Sequence, residues 1–544
     1  MRSKLSYTWV AVLVLIFNAC APITDTEPEE SRPFSLVLER GDVWRGWGSD
    51  PVVADIGLSG DRIIAIGDLS GQSAEMRISV EGLAVVPGFI DIHSHAVRGS
   101  RKSSGIFKHP DAENYIRQGV TTVIGGPDGG SDLSIGKLLS DFENTPASIN
   151  FGTFIGHNTV RIAVMGREDR APTAKELEAM RQLVKTAMLE GAYGLSSGLK
   201  YIPGAYSESS EVVELAKVAG QYDGIYISHM REEGLDLIKS VKETIRIGEE
   251  AELPAQITHH KVMGVEMWGS SMESLALVDA ANARGVDVSS DQYPYAASST
   301  GISVLFPAWS LAGPRKVQMA RLNDPVTRAR IKEGIVYNLI HDRGGDDPSR
   351  VAIADCQWDP SLNGKNFAEV LEERGQAVNM DAAAELAMEI HENGGCFGVF
   401  HAMSEEDVAR IMQHSRTMIA SDGGIHVPGE GVPHPRNYGT FARVLAHYVR
   451  DTQTLSTGEA IYKMSKFPAQ RIGLHDRGRI QVGAMADIAV LDLDKVQDHA
   501  SFADPHQYAT GVRHVLVNGE LVLKDGEKTG KRPGRALRSR QTGN

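Results

Sequence analysis

Cysteine is scarce in this chain of 544 residues, which contains three. Cys20 lies near the amino terminus, and only Cys356 and Cys396 follow it. A disulfide framework therefore cannot be what holds the fold together. We expect the two later cysteines to be buried free thiols, and a single bridge between them is the alternative.

Positive charge is also in deficit, because the formal net charge is -14. A protein that binds nucleic acid needs clustered Lys and Arg to neutralise phosphates, so we predict no nucleic-acid partner. The one basic stretch, residues 528–540 (KTGKRPGRALRSR), is short and terminal. We expect this tail to be solvated rather than bound to an anionic surface.

The apolar run near the start, residues 9–17, is too short to span a membrane, which takes about 20 residues. It follows two basic residues and ends just before Cys20, an order that resembles a bacterial lipoprotein signal, although Phe17 stands where a branched aliphatic residue is usual. We predict that residues 1–20 are an export signal and that a lipid on Cys20 is the only membrane attachment. The protein is then periplasmic or membrane-anchored; an ordinary cleaved signal peptide is the alternative.

The two ends of the chain share a strand-rich texture. Segments rich in β-branched residues and separated by Gly and Asp turns occur in residues 34–66 and again in 487–522. We predict that residues 21–86 and 476–544, the latter including the basic tail, form one small β-sandwich. The Asn-Gly pair at 518–519 predicts a hairpin.

Between these ends, residues 87–475 alternate apolar strand-like runs with amphipathic helical patterns, which is typical of a parallel α/β fold. One predicted helix begins at a capping box of Thr173 and Glu176. We predict an α/β fold with a (β/α)8 TIM-like barrel. The stretch of about 305–400 is too long for a loop after a barrel strand, so we predict an insertion or lid there.

Eight strand-like runs end in a polar residue suited to chemistry. In a (β/α)8 barrel the active site lies at the carboxyl ends of the strands, so these residues are expected to meet in one pocket. They are His93 with His95, Asp128, His157, Ser196, His229, His259, Asp291 and Asp422.

Four of these histidines have the pattern of metal ligands. Residues two apart on an extended strand point the same way, so His93 and His95 can reach one ion. His229 and His259 each end a run of their own, and four histidines at strand ends are hard to explain by packing alone. The next residue, His260, points to the opposite face and is expected to pack in the core.

Asp422 follows a hydrophobic strand in MIASDGG and precedes two glycines. A carboxylate there can bind an ion, take a proton from water and pass it to a leaving amine. Because a metal lowers the pKa of water and polarises a carbonyl, no serine or cysteine nucleophile is required. The pattern predicts metal-dependent amide hydrolysis with Asp422 as catalytic acid and base, whereas an isolated Ser-Asp-Gly would indicate only a turn.

At this point the sequence resembles the amidohydrolase superfamily and, within it, the D-aminoacylase (N-acyl-D-amino-acid deacylase) family. The similarity covers nearly all of the mature chain and rests on eleven short motifs in the same order. They are VVPGFIDIHSH (85–95), GVTTVIGG (119–126), IGHNTVR (155–161), GAYGLSSGLKYIPG (191–204), YISHMREEG (226–234), ITHHKVMG (257–264), DQYPY (291–295), SEEDV (404–408), SDGG (421–424), HPRNYGTFARVL (434–445) and DRGRIQVGAMADIAVLD (476–492).

The resemblance implies hydrolysis of linear N-acyl-D-amino acids by a zinc enzyme. It implies that His229 and His259 hold the tight metal and that His93 and His95 belong to a second, weaker position, with Asp422 as acid and base. Behind the site it implies supporting positions for His157 and Arg161.

The resemblance also implies a binding set for the free α-carboxylate of a small-molecule substrate. Arginine offers a planar fork, lysine a point charge and tyrosine a neutral donor, and all three suit a carboxylate. For the two tyrosines, packing at the barrel rim is the alternative role. The set is Lys261, Arg436, Tyr201 and Tyr293.

The chain departs from the family pattern in two places. Where the family usually has a cysteine ligand (GNCG), this chain has Asp128 in GPDGG. A carboxylate is a harder ligand than a thiolate, so the site can hold one or two ions and can accept Mn²⁺ or Co²⁺ instead of Zn²⁺. The alternative is that Asp128 caps the Gly-rich turn. Directly after His-x-His, where family members often have Asp, this chain has Ala96 and Val97. The loop there is expected to differ, so the pocket for the substrate side chain is not predicted.

Two other functions fit the same residues. An amidohydrolase that acts on a cyclic amide or on a dipeptide with a D-residue has the same metal centre, although Lys261 and Arg436 favour a free α-carboxylate. A non-catalytic metal- or ligand-binding lipoprotein is expected to have lost Asp422, which is present. The sequence leaves open the D or L selectivity, the acyl group, the preferred side chain and the oligomeric state.

Overall fold

A computed structural model describes residues 33–97 and 105–539 of the chain. The predicted export signal and the predicted lipidation of Cys20 lie outside the described residues. Within them, no helix combines the length and the apolar character that crossing a membrane requires.

The strands of the described residues build the barrel, the sandwich and the insertion. In chain order they are β1 (Leu36–Val43), β2 (Val52–Ser59), β3 (Arg62–Gly67), β4 (Arg77–Ser79), β5 (Ala84–Pro87), β6 (Phe89–Asp91), β7 (Val120–Gly125), β8 (Asn150–Thr153), β9 (Ile155–Gly156), β10 (Gly194–Gly198), β11 (Ile225–His229), β12 (Ala255–Ile257), β13 (Val288–Gln292), β14 (Ser298–Gly301), β15 (Val351–Asp355), β16 (Phe397–Phe400), β17 (Thr417–Ile419), β18 (Ile488–Leu491), β19 (Val512–Val517), β20 (Glu520–Lys524) and β21 (Glu527–Lys528).

The helices lie mostly between the barrel strands and in the insertion. The α-helices are α1 (Gly105–Lys108), α2 (Glu113–Ile116), α3 (Ile135–Asn144), α4 (His157–Met165), α5 (Ala174–Leu189), α6 (Ser209–Gly220), α7 (Leu237–Ala251), α8 (Ser271–Ala283), α9 (Arg315–Asn323), α10 (Pro325–Asp342), α11 (Phe367–Glu373), α12 (Met380–Glu392), α13 (Glu405–Gln413), α14 (Arg436–Arg443), α15 (Thr457–Met464) and α16 (Lys466–Arg471). A π-helix, Val444–Asp451, continues α14, and short 3-10 helices span Gly204–Tyr206, Val265–Met267, Ile302–Leu305, Ala308–Leu311, Pro348–Arg350 and Pro360–Leu362.

The central part of the chain is the predicted eight-stranded parallel barrel, which is confirmed. Strands β6, β7 and β8 pair in one run, and β9, β10, β11, β12, β13 and β17 pair in another. Phe154 joins β8 directly to β9, and a parallel bridge between Ser94 and Gly423 closes the ring. The barrel strands from β6 to β13 and β17 are buried along their whole length, as parallel strands covered by helices must be. The predicted capping box of Thr173 and Glu176 at α5 is also confirmed.

Both chain ends contribute to one nine-stranded sheet, as predicted for the sandwich. Its order is β21-β20-β19-β18-β5-β1-β2-β3, with β4 beside β1, and the antiparallel pair of β5 and β18 joins the two ends of the chain. The core of this domain accordingly combines Leu38 and Ile56 from one end with Ile488 and Leu516 from the other. The predicted Asn-Gly hairpin joins β19 to β20, with Asn518 at a φ of 49°.

The insertion has its own sheet, β14-β16-β15, and its own hydrophobic core with α9 to α12. Its first strand starts at Ser298, earlier than the predicted boundary near 305. The expectation of free thiols was wrong, because Cys356 and Cys396 form a disulfide with a Cα–Cα distance of 4.4 Å. The antiparallel pairing of Asp355 with Phe397 places the next residue of one strand opposite the preceding residue of the other, which is where the two cysteines lie.

The basic tail is docked on the barrel, so the expectation of a solvated tail was wrong. The backbone of Phe151 in β8 exchanges hydrogen bonds with Arg535 and Leu537. The side chain of Arg535 pairs with Asp61 at 2.6 Å, and Arg532 pairs with Asp111 at 2.8 Å. The tail binds because acidic side chains and free backbone groups of the folded protein lie along its path.

Candidate metal centre and substrate cavity

A cavity of about 330 Å³ lies where the barrel strands end. It brings together most of the predicted strand-end residues. His95, Asp128, His229, His259 and Asp422 line this cavity, and His93 lies directly behind it, fully buried.

One half of the centre is formed by residues that follow β6, β7 and β17. The ligand atoms of His93, His95, Asp128 and Asp422 all lie within 4.8 Å of one another. His95 Nε2 lies 3.0 Å from Asp422 Oδ1 and 3.3 Å from Asp128 Oδ2. His93 Nε2 lies 3.4 Å from Asp422 Oδ1, so the two histidines face the same two carboxylates.

The other half is formed by Asp128 with His229 and His259, which end β11 and follow β12. His259 Nε2 lies 2.6 Å from His229 Nδ1 and 3.4 Å from Asp128 Oδ1. Asp128 therefore belongs to both halves. Among the described residues its carboxylate receives no hydrogen bond from the Gly-rich turn, and its Oδ1 atom is buried without any hydrogen-bond partner.

The backbone at three of these residues lies in the left-handed region, which non-glycine residues rarely adopt. The φ angles are 54° at Asp128, 36° at His259 and 50° at Asp422. Two of these conformations are held by backbone hydrogen bonds: Asp291 Oδ1 accepts the amide hydrogen of His259 at 2.7 Å, and the amide of Asp422 donates to the carbonyl of His93 at 2.9 Å. Such strain persists where surrounding structure enforces it, and it is typical of functional sites.

The donor set fits a divalent metal ion. Four buried polar atoms of the centre have no hydrogen-bond partner: both ring nitrogens of His93, Nε2 of His229 and Oδ1 of Asp128. Buried polar groups are nearly always paired, so this concentration of unpaired atoms beside two carboxylates fits a bound cation. Imidazole nitrogens and carboxylate oxygens are ligands that Zn²⁺ accepts.

The electrostatics of the centre favour a cation as well. Burial opposes protonation of His93, but Asp128, Asp291 and Asp422 outweigh it and raise the pKa of His93 well above its ordinary value. Burial lowers the pKa of His229 to about 4, which keeps that ring neutral, as a ligand must be. The carboxyl of Asp422 has a pKa well below its usual range, because Arg436 and His93 outweigh the effect of burial.

Of the four residues assigned to the α-carboxylate, Lys261, Tyr201 and Tyr293 line the same cavity, and Arg436 lines an adjoining cavity that shares Asp422 with it. Arg436 Nη1 donates to Asp422 Oδ2 at 2.7 Å, and Lys261 Nζ donates to a glutamate, Glu233, at 2.7 Å. The ring of Tyr293 lies between the two cations, with Arg436 4.8 Å and Lys261 5.6 Å from its centre. The Tyr201 ring lies 4.5 Å from that of His229.

His157 and Arg161 are brought together, but away from the cavity. Both belong to α4 and are fully buried. His157 Nε2 lies 2.8 Å from Glu211 Oε1, and Arg161 pairs with the other oxygen of the same carboxylate. Asn158, between them, donates to the carbonyl of Gly198 and connects this cluster to the strand that precedes Tyr201.

Sequence reasoning missed two charged residues of the site. Glu233 is buried beside His259 and Lys261, and Arg343, from the insertion, lines the cavity. Glu233 lies in the motif YISHMREEG, four residues after His229, so its position was the available signal. Arg343 follows α10, and no sequence pattern indicated that it would reach the site. The expectation for His260 is confirmed, since it is buried and its Nε2 lies 2.9 Å from Ser274 Oγ of α8.

The chain belongs to the amidohydrolase family. The profile of that family, described as "Amidohydrolase family", matches residues 78–523. An α/β barrel with a sandwich built from both chain ends and a centre of histidines and aspartates at the strand ends agrees with this membership.

Particular relatives narrow the comparison. The chain is 37% identical to the D-aminoacylase of Alcaligenes xylosoxydans xylosoxydans over 531 residues, which cover 93% of this chain and 98% of the relative. A crystal structure of D-aminoacylase superposes with a TM-score of 0.78 and 35% identity, covering 93% of this chain and 100% of that one. The N-acyl-D-glutamate deacylase of Bordetella bronchiseptica, solved with zinc and a phosphonate inhibitor, gives a TM-score of 0.77 and 30% identity over 93% of this chain and 100% of that one.

Proposed function

We propose that the protein hydrolyses the amide bond of N-acyl-D-amino acids and releases a carboxylate and a free D-amino acid. The observation that carries the proposal is the group of His93, His95, Asp128, His229, His259 and Asp422, whose candidate ligand atoms form two sets, each within 4.8 Å, that share Asp128 at the cavity. Similarity to a D-aminoacylase over 98% of that enzyme supports the substrate class.

The residues assigned to metal binding divide into two positions. We assign zinc first to His229, His259 and Asp128, with His93, His95 and Asp422 forming a second position that shares Asp128. A bound zinc ion polarises the amide carbonyl and lowers the pKa of water. The carboxylate of Asp128 replaces the cysteine usual in the family, and this harder ligand is compatible with Mn²⁺ or Co²⁺.

Asp422 carries the proton transfers. One of its oxygens faces His95 at 3.0 Å, and the other accepts from Arg436 at 2.7 Å, so the carboxylate is oriented and ionised. As water attacks the carbonyl carbon, Asp422 takes a proton from the water. It then delivers that proton to the nitrogen of the amide, the C–N bond breaks, and the free amine leaves.

The α-carboxylate is assigned to Lys261, Arg436, Tyr201 and Tyr293. In the absence of substrate, Glu233 pairs with Lys261 and Asp422 pairs with Arg436, so each cation is already oriented by a carboxylate that lines the cavity. A buried cation held by one carboxylate keeps further donors for a second one, because guanidinium and ammonium groups each carry several N–H bonds.

A liberated-amine assay on purified protein tests the proposal, with paired N-acetyl-D- and N-acetyl-L-amino acids and metal content measured on the same sample. We expect turnover of the D-substrates that is lost on chelation and restored by zinc. Zinc-loaded protein that releases no amine from any acylated amino acid would contradict the proposal and redirect the search to cyclic amides and D-residue dipeptides.

We also propose export through the segment 1–20 and lipidation of Cys20. The support is the order of two basic residues, an apolar run and a cysteine. Cell fractionation with a labelled fatty acid tests it: label in the parent and none in a Cys20→Ser variant is expected, and unlabelled parent protein would contradict lipidation.

A further inference from the structure

The carboxylate of Glu233 lies behind both histidines of the first metal position. The side chain of Glu233 is 3% exposed, and the residue follows β11, which ends at His229. Oε1 lies 3.1 Å from His259 Nδ1 and accepts a hydrogen bond from Lys261 Nζ at 2.7 Å. Oε2 lies 3.8 Å from His229 Nε2. One carboxylate thus faces the outer nitrogen of each ring.

The inner and outer nitrogens of these rings must differ in protonation. His259 Nε2 points to His229 Nδ1 and to Asp128, so these inner atoms need free lone pairs in order to bind a metal. The outer nitrogen then carries the hydrogen and requires an acceptor. Glu233 is the acceptor that lies within reach of His259 Nδ1 among the described residues.

Lys261 competes for the same outer nitrogen. Its Nζ atom lies within hydrogen-bond distance of His259 Nδ1, and a lysine ammonium can only donate. A hydrogen bond from Lys261 to Nδ1 would place the ring hydrogen on Nε2, the atom that faces the metal position. Glu233 opposes this arrangement, because its Oε1 accepts from the ammonium at 2.7 Å and lies 3.1 Å from Nδ1 as an alternative partner.

The backbone of His259 is held separately. Asp291 accepts its amide hydrogen at 2.7 Å in the left-handed conformation described above. Asp291 therefore fixes the backbone conformation of His259, whereas the orientation of the imidazole ring depends on side-chain contacts.

We propose that Glu233 is a positioning residue for the tight metal: it sets the protonated nitrogen of His259 and neutralises Lys261 beside the metal position. The inference rests on the proposed function only in assigning a metal to His229 and His259. A carboxylate behind a metal-binding histidine raises the basicity of the ring, and loss of such a partner typically costs about 10- to 100-fold in metal affinity.

The test is zinc binding to the full-length protein without substrate, measured by competition with a chromogenic chelator. We expect Glu233→Gln to weaken zinc affinity by about 10- to 100-fold. The matched control is Glu232→Gln, because the neighbouring carboxylate pairs with Lys200 at 2.6 Å and faces neither histidine. The control is expected to bind zinc like the parent.

A double variant separates positioning from general damage. In Glu233→Gln the ammonium of Lys261 remains opposite His259, so adding Lys261→Met removes the competing donor. We expect the double variant to regain part of the lost zinc affinity. Circular dichroism of all variants monitors folding, and if Glu233→Gln does not fold, Glu233→Asp keeps the charge but shortens the reach and is expected to show a smaller loss.

The outcomes are distinct. Parent-like zinc affinity in Glu233→Gln, or an equal loss in Glu233→Gln and Glu232→Gln, would overturn the positioning role. If Glu233→Gln does not fold, parent-like affinity in Glu233→Asp would do the same. A parent protein that binds zinc but hydrolyses no N-acyl-D-amino acid would contradict the proposed function and leave this inference standing.

Discussion

Two buried polar clusters lie close together at the ends of the barrel strands, and they differ in how well they are satisfied. In the cluster of His157, Arg161 and Glu211, both ring nitrogens of the histidine and both carboxylate oxygens have partners, and only Nε of Arg161 is buried without one. In the metal centre, both nitrogens of His93 and one oxygen of Asp128 have none. Most residues of both clusters are buried, and His95 and Asp128 of the metal centre are partly exposed, so burial alone hardly separates them.

The backbone differs in the same way. His157, Arg161 and Glu211 lie in the regular helices α4 and α6, whereas three residues of the metal centre have left-handed φ angles. A satisfied, unstrained cluster contributes to packing, and an unsatisfied, strained one is maintained for binding. The comparison predicts a clean division: substitutions in the first cluster reduce stability, and substitutions in the second reduce metal binding or turnover.

The largest effect is expected from loss of a ligand to the tight metal. His229→Ala or His259→Ala should abolish both zinc binding and turnover while the metal-free protein keeps its fold. Metal analysis with the amine assay measures both properties. Full zinc occupancy in either variant would move the first metal position to other residues.

Asp422→Asn tests the proton transfers. An asparagine cannot accept a proton, so kcat should fall by about 10²- to 10⁴-fold, while zinc at the position of His229, His259 and Asp128 is retained. Retained turnover would remove Asp422 from its role as acid and base.

The satisfied cluster is expected to respond in the opposite sense. Glu211→Gln leaves the buried guanidinium of Arg161 without its counter-charge, which should reduce the free energy of unfolding by about 3–5 kcal/mol. Zinc affinity and the kcat of the folded protein should not change. Chemical denaturation measures the free energy of unfolding. A loss of zinc affinity would show that the two clusters are one functional unit.

Lys261→Ala and Arg436→Ala sharpen the assignment within the metal centre itself. A hydrogen bond to a charged group contributes roughly 1.5–3 kcal/mol, so each truncation should raise KM by about 10- to 100-fold with a smaller effect on zinc affinity. Steady-state kinetics with an N-acetyl-D-amino acid measures the KM of each variant. An unchanged KM would exclude the residue from the carboxylate site.

The smallest effect concerns pH. Burial alone would raise the pKa of Glu211, but His157 and Arg161 hold it below its ordinary value of 4.5. A carboxyl with a lowered pKa in the folded state stabilises the fold above its unfolded pKa, and this contribution is lost as the pH falls through the folded value. In acid, the parent should therefore lose stability more steeply than Glu211→Gln. Equal slopes in unfolding titrations below pH 4.5 would contradict this.

Local patterns in the sequence were enough to predict much of the fold. The capping box at Thr173 and the Asn-Gly hairpin at Asn518 depend on neighbours within a few residues, and both were predicted correctly. The strand-end histidines followed from a general property of parallel barrels, in which the carboxyl ends of all strands meet. That property placed His93, His229 and Asp422 in one centre before any contact was known.

Contacts between distant segments could not be predicted in this way. Cys356 and Cys396 became a bridge because two antiparallel strands set their register, and the basic tail found partners on a surface that exists only after folding. Arg343 reaches the cavity from an insertion whose position has no local signal.

By itself the sequence determined the barrel, the two-ended sandwich and the identity of the strand-end histidines and aspartates, because these depend on periodicity and residue type. The tertiary structure alone decided which of them share one centre through Asp128, that Glu233 lies behind the tight pair, and that His157 belongs to a separate packed cluster. The reason is physical: a side chain acquires its partners from segments far away in the chain, and only folding brings those segments within hydrogen-bond distance.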